Sequence, residues 1–115
     1  MTTTGMWAAL DSATGNVVWE IADPAMDMPL AGASADGPTV VVNGVVFAGS
    51  MDSMGTMFAL NAATGDVLWQ FQSGGTVYGG PAVANGVVYW GCGYPATRLG
   101  FGTTCKKVYA FDIGP

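Results

Sequence analysis

The sequence predicts an all-β fold built from repeated four-stranded antiparallel units, and three observations carry that prediction. The first is composition. Of 115 residues, 18 are glycine and 6 are proline, half are apolar, and Val, Tyr, Trp and Phe recur along the chain. Branched and aromatic side chains suit pleated strands, and Gly and Pro punctuate them. The second is a repeat. Gly5–Glu20 and Gly55–Gln70 align without a gap and share Gly5/Gly55, Ala9/Ala59, Leu10/Leu60, Ala13/Ala63, Thr14/Thr64, Gly15/Gly65, Val17/Val67 and Trp19/Trp69. The third is a second pair, Asn43–Ser50 ("NGVVFAGS") and Asn85–Cys92 ("NGVVYWGC"). No amphipathic helical stretch competes with these patterns.

Each piece reads as a strand or a turn. Residues 5–21 form a hairpin of two strands, C and D, around a Thr14-Gly15 turn. Residues 37–72 form a complete unit. Asn43-Gly44 turns the first hairpin, A to B, because Asn-Gly tolerates the positive φ angles of a tight two-residue turn. The second hairpin has strands around Met57–Leu60 and Val67–Phe71, joined through Thr64-Gly65. Residues 80–113 give strands A, B and C, with Asn85-Gly86 as the first turn. Val108–Asp112 repeats Met57–Asn61. Four-stranded units recurring every ~40–50 residues are the signature of a β-propeller. A β-sandwich explains the strand content but not the repeated Thr-Gly and Trp spacing. The expected fold is therefore a propeller fragment of about two blades.

Composition narrows the partners. The formal net charge is −5, with three basic residues, which argues against nucleic acid or an anionic membrane surface. No apolar run approaches the ~18 residues of a membrane span. Met1–Trp7 lacks the basic and apolar regions of a signal peptide. There is no histidine, so the commonest general base and metal ligand is missing. Two cysteines without histidine do not make a structural zinc site, and no metal ligands are assigned.

The motif "ALDSATGNVVW" resembles the repeat of pyrroloquinoline-quinone (PQQ) dehydrogenase propellers, A-x-D-x-x-T-G-x-x-x-W, a tryptophan-docking motif. The matched residues are Ala9, Asp11, Thr14, Gly15 and Trp19, then Ala59, Thr64, Gly65 and Trp69, with Asn61 in place of Asp. Ala110 and Asp112 begin a third copy. The run from Val45 to Tyr94, with its Gly49–Asp52 turn, is similar to polyvinyl-alcohol dehydrogenases. The resemblance implies an eight-bladed parent, a bacterial periplasmic or secreted location, and oxidation of secondary alcohols with PQQ and calcium. In that chemistry an Asp removes the alcohol proton while hydride passes to the quinone. Parents of this kind often pass electrons to haem c; the Cys-x-x-Cys-His that attaches it is not in this sequence.

The tryptophans are expected to pack one blade on the next, and the Thr-Gly turns to place Thr14 or Thr64 near the next blade's backbone. The connection Tyr89–Lys107 is much longer than its counterpart Asp52–Gly55, and long loops on rigid scaffolds carry function. In quinoprotein alcohol dehydrogenases a comparable strand ends in Gly-Ser-Gly-Asn-Pro, whose Asn ligates calcium. Tyr94 stands at that place in Gly91–Pro95, and Arg98 follows as a candidate for the quinone's carboxylates. Arg98 as a solvated loop residue and Asp52 as a turn-former are the plainer readings. No catalytic residue is assigned. A disulfide fits Cys92 and Cys105 and would contribute ~3 kcal/mol on the loop-entropy argument; two buried thiols are the alternative. Met26 and Met28 around Asp27 read as gap-fillers rather than a soft-metal site.

Two functions follow. One is a fragment of a PQQ-dependent, polyvinyl-alcohol-like dehydrogenase, inactive in isolation. The other is a scaffold of propeller repeats that assembles head to tail, so the expected partner is the chain itself or the rest of a propeller.

Overall fold

The computed structural model describes residues 5–25, 35, 37–93 and 103–114. Among them run nine strands in three antiparallel sheets. Sheet 1 holds β1 (Met6–Leu10) and β2 (Val17–Ala22). Sheet 2 holds β3 (Val40–Val42), β4 (Val45–Gly49), β5 (Thr56–Asn61) and β6 (Val67–Gln72), side by side in chain order. Sheet 3 holds β7 (Ala82–Ala84), β8 (Val87–Gly91) and β9 (Val108–Asp112). No helix in the described residues is long and apolar enough to cross a membrane.

The Asn-Gly turns form as their chemistry requires. Asn43 and Gly44 have φ of 49° and 78°, and Asn85 and Gly86 of 51° and 76°. Both residues of each turn are left-handed, the arrangement that matches strand twist.

The fifty-residue repeat is preserved in the backbone. In sheet 1 Ala9 pairs with Trp19 and Leu10 with Val17; in sheet 2 Ala59 pairs with Trp69 and Leu60 with Val67. Each ladder skips one residue, Val18 or Leu68, at the same bulge. The two skipped side chains are exposed, as an unpaired bulge residue on an outer strand permits. The β4–β5 ladder from Val45↔Asn61 to Gly49↔Met57 likewise recurs as Val87↔Asp112 to Gly91↔Val108 between β8 and β9.

Side chains alternate across a strand, and the middle sheet uses both faces. Val46, Ala48, Phe58 and Leu60 point one way and pack with Trp7 of sheet 1. Phe47, Met57 and Ala59 point the other way and pack with Val77, Val88 and Trp90. This explains why β4 and β5 read as nearly unbroken apolar runs rather than alternating ones. Phe58, Leu60, Met57 and Trp90 are almost fully buried, each stabilising the fold by roughly 1.5–3 kcal/mol.

Trp19 marks the joint between sheets 1 and 2. Its indole N–H donates to the Ala62 carbonyl at 2.8 Å. Its ring lies over Gly65, where an added Cβ would stand 2.6 Å from Cε3. Gly65 also has φ of 80°. Trp69 instead stacks beside Phe71 and meets Phe111 edge-on at 4.9 Å.

The threonine hydroxyls bond within their own turns. Thr14 Oγ1 accepts the Asn16 N–H, and Thr64 Oγ1 accepts the Asp66 N–H while donating to Asp66 Oδ2. Short hydroxyl side chains cap the backbone two residues on more readily than they span a gap. Asp11 Oδ1 accepts the N–H groups of Ala13 and Thr14. These donors, Ala13 first, hold the Asp11 carboxyl below its ordinary pKa. Asn61 makes the matching bond to Ala63 without a charge.

Gly65→Ala is expected to cost at least about 1–2 kcal/mol, the penalty of a left-handed non-glycine residue, plus displacement of Trp19. Urea unfolding checks it. A loss no larger than that of Gly15→Ala, where an added Cβ meets nothing within 4 Å, would remove the Trp19 contact from the explanation.

Candidate functional site

Antiparallel pairing brings the β2–β3, β4–β5, β6–β7 and β8–β9 connections to one end of the sheets. Six polar side chains are buried there: Asp23, Ser50, Asp52, Thr56, Ser73 and Thr76. Buried polar groups require partners, and these side chains find them mostly across sheet boundaries or within one tight turn.

Between sheets 1 and 2, the Ser50 hydroxyl donates to Asp23 Oδ2 at 2.5 Å, and Asp23 Oδ1 accepts the Ala25 N–H. Ser50 Oγ also accepts the Asp52 N–H at 3.1 Å. Asp52 closes the β4–β5 connection on itself. Its Oδ1 accepts the Thr56 N–H at 2.7 Å and its Oδ2 accepts the Thr56 hydroxyl at 3.1 Å.

The crossover from sheet 2 to sheet 3 is held from two sides. Thr76 donates its hydroxyl to the Asp52 carbonyl and accepts the Thr103 N–H at 2.7 Å. The Thr76 N–H donates to the Thr103 carbonyl, and Gly93 N–H donates to the Thr76 carbonyl. Tyr109 Oη–H reaches the Ser73 carbonyl at 2.7 Å. Cys92 and Cys105 are joined by a disulfide, their Cα atoms 5.4 Å apart, a bond compatible with an oxidising compartment.

The candidate chemistry of this end is limited by these bonds. A general base needs a free, reachable lone pair near substrate. Asp52 is 3% exposed, and both carboxylate oxygens are held by Thr56, so it acts as a turn-former. Calcium takes six to eight oxygen ligands, several of them carboxylate. Among the described residues no three acidic, Cys or His side chains converge, and Asp23 and Asp52 are committed to neighbouring donors. The described donor set therefore does not fit a calcium–quinone pair. Tyr94 and Arg98 lie outside the described residues, as do Met26, Asp27 and Met28. At the opposite end, a cleft of about 1070 Å³ opens between sheets 2 and 3, with Phe47, Trp69, Val88 and Phe111 in its wall and Asn43 and Asn85 among its polar residues.

The sequence reading did not find the Asp23–Ser50 pair or the Ser73–Thr76 crossover. A signal existed. Asp23 and Ser73 continue the fifty-residue offset past the tryptophans, and the Asp23 N–H to Gly5 carbonyl bond recurs as Ser73 to Gly55.

Residues 4–97 match the PQQ-repeat family described as outer membrane protein assembly factor BamB. The chain belongs to this family. Its fold is similar to BamB from Moraxella catarrhalis, with a TM-score of 0.64 and 20% identity, over 96% of this chain and 29% of that one. It is also similar to the quinohemoprotein alcohol dehydrogenase from Comamonas testosteroni, with a TM-score of 0.59 and 27% identity, over 76% of this chain and 14% of that one. This BamB-family chain thus spans less than a third of either structure. It is a β-propeller segment of PQQ-like repeats, related to quinoprotein dehydrogenases and to BamB. The sequence matches no curated protein at a significant level.

Ser50→Ala is expected to lower stability by about 1–3 kcal/mol, because it removes a buried hydrogen bond to a carboxylate. In a double-mutant cycle with Asp23→Ala, the two losses should fall short of additive by about 1 kcal/mol or more. Strict additivity would mean that the pair does not join the sheets.

Proposed function

We propose that this chain is a wall segment of a quinoprotein alcohol dehydrogenase-type propeller, structural in itself and not catalytic in isolation. The observation that carries the reading is the commitment of the buried polar groups. Where the sheet ends could present acids and bases, Asp23 and Asp52 are already held by Ser50, Ala25 and Thr56. In this reading residues 5–21 are half a blade, 37–72 a complete blade and 80–113 a three-stranded one. The 27% identity to the Comamonas enzyme supports the dehydrogenase side of the family. A polyvinyl-alcohol-like substrate belongs to the completed propeller, as do PQQ and calcium. The disulfide supports a periplasmic or secreted location.

The test is a titration of the isolated chain with PQQ in the presence of calcium. The expected result is no saturable absorbance change and no rise in Tm. A ligand that binds only the native state must raise Tm, so a saturable rise would overturn the non-catalytic reading.

One observation favours a second reading, a scaffold joined head to tail. The Trp19–Gly65 contact appears once, but two unmatched halves of it remain. Gly15 has open space above it, and Trp69 is 37% exposed, with no Thr-Gly turn beneath it among the described residues. A further copy, or further blades of one polypeptide, could supply each missing half. Light scattering on a sizing column tests the copy-to-copy version: a discrete oligomer abolished by Trp69→Ala supports it, and a monomer rules it out.

A further inference from the structure

The joints on the two sides of sheet 2 are built at equivalent positions with different chemistry. Ser50 and Cys92 both follow the Gly that ends a B strand, and Asp23 and Ser73 both follow a D strand. At the first joint Ser50 bonds to the Asp23 carboxylate. At the second, the matching place holds Cys92, bonded to Cys105.

This bond closes a clasp around the crossover. Gly93, next to Cys92, donates to the Thr76 carbonyl, and Thr103, two residues before Cys105, exchanges bonds with Thr76 on its other side. The backbone between Ser73 and Thr76 is therefore gripped by two segments that the disulfide ties together.

A second observation concerns the sulfurs themselves. Cys92 Sγ lies 3.6 Å from the Lys107 carbonyl oxygen, and Cys105 Sγ lies 3.9 Å from the Ser73 carbonyl oxygen. A disulfide has no hydrogen to donate to either. A thiol is a weak donor, so after reduction each sulfur would find an acceptor already in place. Access is asymmetric: Cys92 is 8% exposed, whereas Cys105 is partly exposed and sits between exposed Thr104 and Lys106.

We infer that Cys92–Cys105 is a reversible redox clasp, opened by a dithiol reductant, that sets how firmly sheet 3 is held to sheet 2. A thiolate of the reductant bonds to Cys105 Sγ as the bond to Cys92 breaks. Cys92 leaves with the electron pair and takes up a proton. The reductant's second thiolate then attacks its own sulfur in the mixed disulfide, forming the reductant's disulfide and releasing Cys105, which is protonated. The protein gains two electrons and two protons, and the dithiol is oxidised.

The experiment is amide hydrogen exchange on the 115-residue chain, oxidised and then reduced with dithiothreitol. The expected result is exchange about tenfold or more faster at Thr76, Gly93 and Thr103 on reduction, with Asp23, Asn61 and Ala62 unchanged, as for a local opening. Replacing dithiothreitol with oxidised glutathione should restore protection. Cys92→Ser with Cys105→Ser should match the reduced chain. Unchanged protection at Thr76, Gly93 and Thr103 would overturn the clasp. So would loss of protection across all three sheets, or failure of the bond to re-form.

Discussion

Everything in this fold depends on a strand having two faces. In β4 and β5 both are buried, one against Trp7 and the other against Trp90 and Val77. A sheet with one apolar face could close only one joint. Sheet 2 closes two, and so fixes both the direction and the spacing of the row. Its outer strand β6 shows the reverse, with Leu68 and Gln70 left exposed, because the ladder needs an edge at the rim.

From that constraint the polar end follows. Sheets stacked face to face bring their connections together, and those connections carry backbone groups that cannot be left dry and unpaired. Ser50, Asp52, Ser73 and Thr76 supply the partners. They are short, so they reach only neighbours already held by the apolar packing. The hydrogen bonds therefore refine a position that burial has set. The same bonding occupies the carboxylates that sequence alone leaves open for catalysis.

Much of the architecture was legible because it rests on local chemistry. The Asn43-Gly44 and Asn85-Gly86 turns announce themselves by residue type, and the Trp19/Trp69 offset shows the hairpin repeat, though its bulge appears only in the strand ladders. The bonds of Thr14 and Thr64 were not legible: a hydroxyl beside a turn has its nearest partner in its own backbone, which no count of spacing reveals. The Asp23–Ser50 pair was hidden for the opposite reason. Ser50 ends one repeat and Asp23 extends another, and no spacing within either repeat says that the two meet. Asp52 could be read as a turn residue, but that both its oxygens serve Thr56 is a fact of geometry. Tyr94 and Arg98 carry the family likeness without being placed by the described structure.

The β8–β9 ladder has the same five pairs as β4–β5, although Ser50–Gly55 joins one pair of strands and Cys92–Lys107 the other. Pairing is thus indifferent to what travels between the two strands. A lineage of such proteins can lengthen, shorten or exchange that excursion while the frame beneath stays fixed. The rim is where length can vary, and the two-cysteine tie fastens both ends of the longer excursion to the frame.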